Sequence, residues 1–149
     1  MNDEFVNYYM QIEERIAHLL KHADLRTTKV RRLVLQTFLE SGAVALSSYE
    51  LERKFEDLDR ITLYRTLKTF EEVGIIHQAV DISGRSKYAI CSKDCTTHQH
   101  EDHHAHFYCK KCEKTVCLDD VKIPTLNLPK NFHLEDSQLV LSGICGECQ

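Results

Sequence analysis

Nowhere in the chain is there an apolar run long enough to cross a bilayer, which sets aside a helical membrane span. The opening stretch MNDEFVNYYMQIEER is acidic and lacks the basic flank and apolar block of a secretory leader, so a cytoplasmic protein is expected. Internal repeats and low-complexity tracts are also missing. No HExxH, nucleophile elbow or phosphate loop occurs, and no obvious general base accompanies the histidines, so the expectation is a protein that is not an enzyme. Positive charge is not in excess: 19 Lys and Arg face 23 Asp and Glu, a net charge of -4. Any nucleic-acid interface must therefore be sought in the local distribution of charge. Proline is scarce, and Pro124 and Pro129 both fall in the second half, where they restrict any helix between its strands.

The chain has 149 residues, 42% of them hydrophobic, which suffices for one sizeable core or two small ones. Seven cysteines is a high and odd number, and four of them form two CxxC pairs, which in a reducing compartment reads as metal ligation. The nine histidines are unevenly spread, with five between His98 and His106.

Helical periodicity runs through Phe5, Tyr8, Tyr9, Ile12, Ile16, Leu19 and Leu20. A second helix begins at Thr27 or Thr28, buries Val30, Val34, Leu35 and Phe38, and ends at Gly42. Ser47 or Ser48 caps a short third helix with Leu51 and Phe55. A fourth runs from Arg60 to Val73 with Ile61, Tyr64, Leu67 and Phe70 on one stripe. After Gly74 the period changes to two. IIHQAV and KYAIC read as strands, and the Ser-Gly of the intervening DISGRS suits a tight hairpin turn. Three helices and a hairpin make a winged helix, so the expected fold class is α+β. Residues 1–91 are expected to form a winged-helix DNA-binding domain with its N-terminal helix and wing, and residues 92–149 a small α/β metal-binding domain.

Cys109 and Cys112 in CKKC, with Cys145 and Cys148 in CGEC, offer two pairs of thiolates with a bite suited to tetrahedral zinc. All four positions would be filled by protein, so this Zn2+ site is expected to be structural. In HHAHFYC, strand alternation puts His104, His106 and Tyr108 on one face and Ala105, Phe107 and Cys109 on the other. Two imidazoles two residues apart can share an ion. Further candidates for this second, regulatory site are His77, Cys91, Cys95, His98, His100, His103 and Cys117. Thiolates with imidazoles suit a second Zn2+, whereas carboxylates with imidazoles would suit Fe2+ or manganese.

Basic residues Lys21, Arg26, Lys29, Arg31 and Arg32 outnumber the single acid Asp24 in their stretch, and Arg60, Arg65 and Lys68 add charge on the fourth helix. The helix before the wing normally enters the major groove, with its N-terminal side chains near base edges. Here those are Arg60, Thr62, Tyr64 and Arg65. Arginine reaches guanine edges or phosphate, and tyrosine a thymine methyl or phosphate.

In order and type, LRTTKVRRLVL, RITLYRTLKTFEEVGII, HHAHFYCKKC and the terminal CGEC resemble the ferric uptake regulator superfamily across nearly the whole chain. The resemblance implies a homodimeric, metal-dependent repressor of metal-homeostasis genes that grips a palindromic double-stranded operator when metal-loaded. It implies DNA contacts at Arg31, Thr62, Tyr64 and Arg65, a structural zinc at the four cysteines, and a regulatory ion at His104 and His106. Where many members place a histidine and an acid, this chain has Ala45 and Ala89. Cys117 replaces a further acid, and Cys91 and His77 lie where zinc-sensing members place a cysteine and a histidine. Ala105 stands at the acid of the accessory site. This exchange of oxygen for sulfur is similar to the zinc uptake regulators, so a zinc-responsive regulator is expected. The alternatives are an iron-responsive regulator and, further off, a metal-buffering or interaction module that does not touch DNA.

Overall fold

The computed structural model of the protein describes residues 3–91 and 104–149, with side chains from Asn7 onward; Cys95, His98, His100 and His103 lie outside them. Helix α1 spans Asp3–His22 and turns Ile12, Ile16, Leu19 and Leu20 inward, leaving Tyr8 and Tyr9 exposed. Helix α2, Lys29–Ser41, starts where the Thr28 hydroxyl accepts the Arg31 N–H, and ends at Gly42, whose φ of 58° suits a residue without Cβ. Ser47 caps α3, Ser48–Lys54, through a capping box with Glu50. Asp59 caps α4, Arg60–Glu72, by accepting the Thr62 N–H.

On α4 the buried stripe is Leu63, Thr66, Leu67 and Phe70. This corrects the sequence reading: Ile61 and Tyr64 face outward, being 61% and 39% exposed. Leu63, Leu67 and Phe70 follow i, i+4, i+7 and point at α2 together, which carries Ile61 and Tyr64 round the helix to the solvent side. The resulting core joins α1, α2, α3 and α4 with Ile75 and Ile76.

Strands β2, Ile76–Gln78, and β3, Lys87–Ile90, pair antiparallel as expected, but the link between them is not a tight two-residue turn. The ladder closes at Ala79 N–H to the Lys87 carbonyl, and the Asp81 carboxylate accepts the Ser83 N–H to build a separate local turn. The wing loop is long because Asp81 is drawn inward rather than left at a tip. A two-residue strand β1, Leu46–Ser47, joins the outer edge of β3, giving the order β1-β3-β2.

The second sheet has the order β5-β4-β6, with β4 His104–Cys109, β5 Thr115–Lys122 and β6 Leu139–Gly143. Strand β5 is antiparallel and β6 parallel to β4. Cross-strand register puts His106 opposite Cys117 and Tyr108 opposite Thr115 on one face, and Phe107 opposite Val116 on the other. Among the described residues, the helical part of this half is the 3-10 turn Gly146–Cys148. The two sheets are stitched by the strand-like residues before β1: Val44 bridges Val116, Ala45 N–H donates to the Thr115 carbonyl, and Cys117 N–H to the Ala43 carbonyl. The face bearing His106, Tyr108, Thr115 and Cys117 therefore looks toward the first sheet. The opposite face opens on an apolar groove of about 570 Å3 lined by Val44, Phe107, Val116, Leu118 and Ile144.

Candidate metal centres and nucleic-acid interface

Strand alternation delivers His104 and His106 to one face of β4, register adds Cys117 from β5, and β2 brings His77 from the other sheet. All four side chains are buried, and their donor atoms lie within 4.8 Å of one another. His77 Nε2 is 3.4 Å from His106 Nε2 and 3.5 Å from Cys117 Sγ. Its Nδ1 turns the other way and lies 3.6 Å from Cys91 Sγ, so Cys91 touches the group through His77 but is not one of the four mutually close donors. His104 Nδ1 points toward Asp119 at 3.7 Å, which leaves its Nε2 on the side of the cluster. A carboxylate behind a ligating imidazole fixes its ring orientation.

Packed beside this group, Ala45, Ala79, Ala89 and Cys117 form a small apolar cluster. Ala45 and Ala89 thus wall the site with apolar surface, and no carboxylate belongs to the four-donor set among the described residues. Three imidazoles and a thiol, shielded from water, thus converge on one point. A soft or borderline divalent cation fits that donor set.

Cys109, Cys112, Cys145 and Cys148 form the second group, again with sulfurs within 4.8 Å of one another. CKKC closes the turn between β4 and β5, and CGEC lies just past β6, so the parallel pairing of β6 with β4 carries the two together. Backbone N–H groups of Cys112 and Cys145 aim at the Cys109 sulfur and lower its pKa to about 6. Shared protons with Cys145, together with burial, push Cys148 up to about 12. Opposite shifts in one cluster mean that negative charge gathers on the Cys109 sulfur while Cys148 resists it. A divalent cation relieves that conflict by taking all four thiolates, so the site fits zinc. The spacing alone had identified this group.

Sequence reasoning missed a third buried polar group. Lys87 on β3 is paired with Asp81 of the wing loop at 2.9 Å and bonded to Thr115 of β5, all out of water. A lysine in an alternating strand reads as surface, and only the packing of the two sheets reveals otherwise.

The expected DNA-facing side chains lie along α2, α4 and the turn before α2. Arg26 and Lys29 are exposed, while Arg31 is half-buried and its guanidinium donates to the Arg26 carbonyl at 2.6 Å. Thr62 is engaged at the helix start, both its N–H and hydroxyl donating to Asp59. Glu52 of α3 accepts the Tyr64 hydroxyl at 2.8 Å and pairs with Arg60 at 3.3 Å, and Arg60 stacks over the Tyr64 ring. The Tyr64 and Glu52 contacts raise the Arg60 pKa above its ordinary value. Arg65 is exposed.

Residues 22–142 match the model of the ferric uptake regulator family. A peroxide-responsive repressor PerR of Staphylococcus epidermidis is 27% identical over 157 residues, covering 100% of this chain and 97% of the relative. A ferric uptake regulation protein of Bordetella parapertussis is 28% identical over 138 residues, covering 87% and 94%. Among solved structures, the Vibrio cholerae ferric uptake regulator superimposes with a TM-score of 0.55 at 23% identity, over 86% of this chain and 98% of that one. A zinc uptake regulator complexed with zinc and DNA gives 0.61 at 22% identity, over 92% and 94%.

Proposed function

From the premise that the chain belongs to the ferric uptake regulator family, whose members are metal-responsive transcriptional regulators, we propose that it is a zinc-responsive repressor of metal-homeostasis genes. The observation that carries this reading is the buried quartet His77, His104, His106 and Cys117, whose donors come from both sheets. A cation bound there would supply the charge that holds the four together. His77 belongs to the wing, so gathering the quartet fixes the first sheet against the second and sets the orientation of α4. Coupling of this kind needs tighter ion binding in the closed arrangement, by ~1–3 kcal/mol in typical systems. Cys91, on the far nitrogen of His77, completes the sulfur-rich surroundings.

Zinc is favoured over iron because the quartet holds a thiol and no carboxylate. The four cysteines hold a separate structural zinc. Residues 1–91 are read as the DNA-binding domain and 92–149 as the metal-binding dimerisation domain. A homodimer is supported by the apolar groove and by exposed Leu141 on β6 and Ile144 just past it. Its two copies would place two α4 helices on a palindromic operator, with Arg26, Lys29, Arg31, Arg60, Thr62, Tyr64 and Arg65 at the DNA. No helix is long and apolar enough to cross a membrane among the described residues, consistent with a cytoplasmic regulator.

Operator binding titrated at buffered free zinc tests the reading. Affinity should rise by about 5- to 150-fold as zinc fills the quartet. Equal affinity at every zinc level, or a response to ferrous iron alone, would overturn it.

A further inference from the structure

The buried group around Lys87 has no part in either metal site, yet it touches the wing loop and the turn that carries two of the four cysteines. Lys87 Nζ donates to Asp81 Oδ2 at 2.9 Å, to Thr115 Oγ1 at 2.9 Å and to the Glu113 carbonyl at 3.0 Å. An ammonium has three hydrogens, and all three are spent. The Thr115 hydroxyl donates in turn to Asp81 Oδ2, and Asp81 Oδ1 accepts the N–H and hydroxyl of Ser83. The Lys87 and Asp81 side chains are 7% and 0% exposed.

Glu113 directly follows Cys112. It holds a φ of 59°, its N–H donates to the Cys109 carbonyl at 2.8 Å, and Cys109 N–H donates to the Lys114 carbonyl at 2.9 Å. The cysteine turn is thus closed on itself, and the Glu113 carbonyl links it to the first sheet. On the other side, Asp81 shapes the loop whose Arg85 stands exposed. A buried ion pair is a poor source of net stability, since an apolar pair of similar volume often does as well. What it does supply is a fixed relation between the parts that it joins.

We propose that Lys87 is a positioning residue that ties the wing loop to the cysteine turn, so that the four-cysteine site and DNA binding are coupled. This goes beyond a purely structural role for the four cysteines, and its DNA arm rests on the reading that the first sheet and its helices bind DNA. By linkage, if the cysteine turn helps to set the wing, DNA on the wing must protect the cysteine turn.

The experiment follows alkylation of Cys109, Cys112, Cys145 and Cys148 by peptide mass spectrometry in the zinc-loaded full chain, with and without a duplex selected by the wild-type protein. DNA should slow alkylation about fivefold or more in the wild type, and the slowing should vanish in Lys87→Met but persist in Lys87→Arg. Equal slowing in wild type and Lys87→Met overturns the proposal. Hydrogen exchange on the free protein gives an arm that needs no DNA. Lys87→Met should speed exchange at the Ser83 and Arg85 amides and alkylation at the four cysteines, while amides of Leu35 and Leu67 stay as they were. No change at the wing, or an equal change everywhere, overturns it as well. If Lys87→Met fails to fold, Thr115→Val removes one link of the same network and is held to the same outcomes. A wild type that selects no duplex sinks the proposed function, and the exchange arm then decides the coupling by itself.

Discussion

At Cys109 and His104, two buried ligand-type residues on one strand, the surroundings assign different work. The Cys109 sulfur collects backbone N–H groups and sits where β4, the CKKC turn and the chain end converge. Cys109→Ser should therefore release the ion of that site and loosen the second sheet, seen as loss of bound zinc and a lower, broader thermal transition. His104 leans on Asp119 at the start of β4, away from the CKKC turn and the four cysteines. His104→Ala should keep the melting temperature near the wild type but blunt zinc-dependent DNA binding; the reverse pattern would exchange the two roles. Asp81 offers a pH test. Burial by itself would raise its pKa, but hydrogen bonds from Ser83, Thr115 and Lys87 outweigh it and bring the value to about 2, against 3.8 for the free group. Because the folded pKa is depressed, the stability it contributes is fully present above pH 3.8 and is lost as pH falls through about 2. Urea unfolding should show the gap between wild type and Asp81→Asn narrowing over that window. A gap that stayed constant would mean that the charge of Asp81 is irrelevant.

Among the elements, α3 and α4 depend on their caps and on each other. The capping box of Ser47 and Glu50 holds the start of a helix of only seven residues. Ser47→Ala should cost about 1 kcal/mol in chemical denaturation. Glu52 of α3 keeps Tyr64 and Arg60 of α4 occupied through one carboxylate. DNA that takes these two side chains must displace an anion from its own path, so Glu52→Gln should tighten binding severalfold and flatten nothing else; unchanged affinity would place Tyr64 and Arg60 off the DNA. The helices and their starts were legible in sequence because capping and periodicity are local. The facing of Tyr64 was not, since a tyrosine one turn from Leu67 fits an apolar stripe equally well until α2 fixes which side of α4 is inward. The wing failed similarly: Ser-Gly signals a tight turn, but Asp81 is drawn inward by Lys87 together with Thr115, a residue of the second sheet far off in sequence.

For the whole molecule, the ligand groups differ in what they join. The four cysteines close one sheet, whereas the quartet and the Lys87 network both cross between sheets. DNA binding by a chain with net charge -4 must come from local basic residues, so affinity should fall steeply and linearly on a log scale as salt rises. A fluorescence anisotropy series in salt checks this, and a flat response would speak for a module that does not bind DNA.

Spacing and motif order alone were enough for the four-cysteine group, the pairing of His104 with His106 on one strand face, the order of helices and the family. Each rests on spacing within a few residues or on blocks in fixed order. It took the packing of the two halves to show that His77 and Cys117 join those histidines while Cys91 stays behind His77, that Ala45 and Ala89 wall them in, and that Lys87 is buried between the wing and the cysteine turn. These relations arise where the two sheets are joined by the Val44 bridge, and nothing in local periodicity encodes which side chains meet between them.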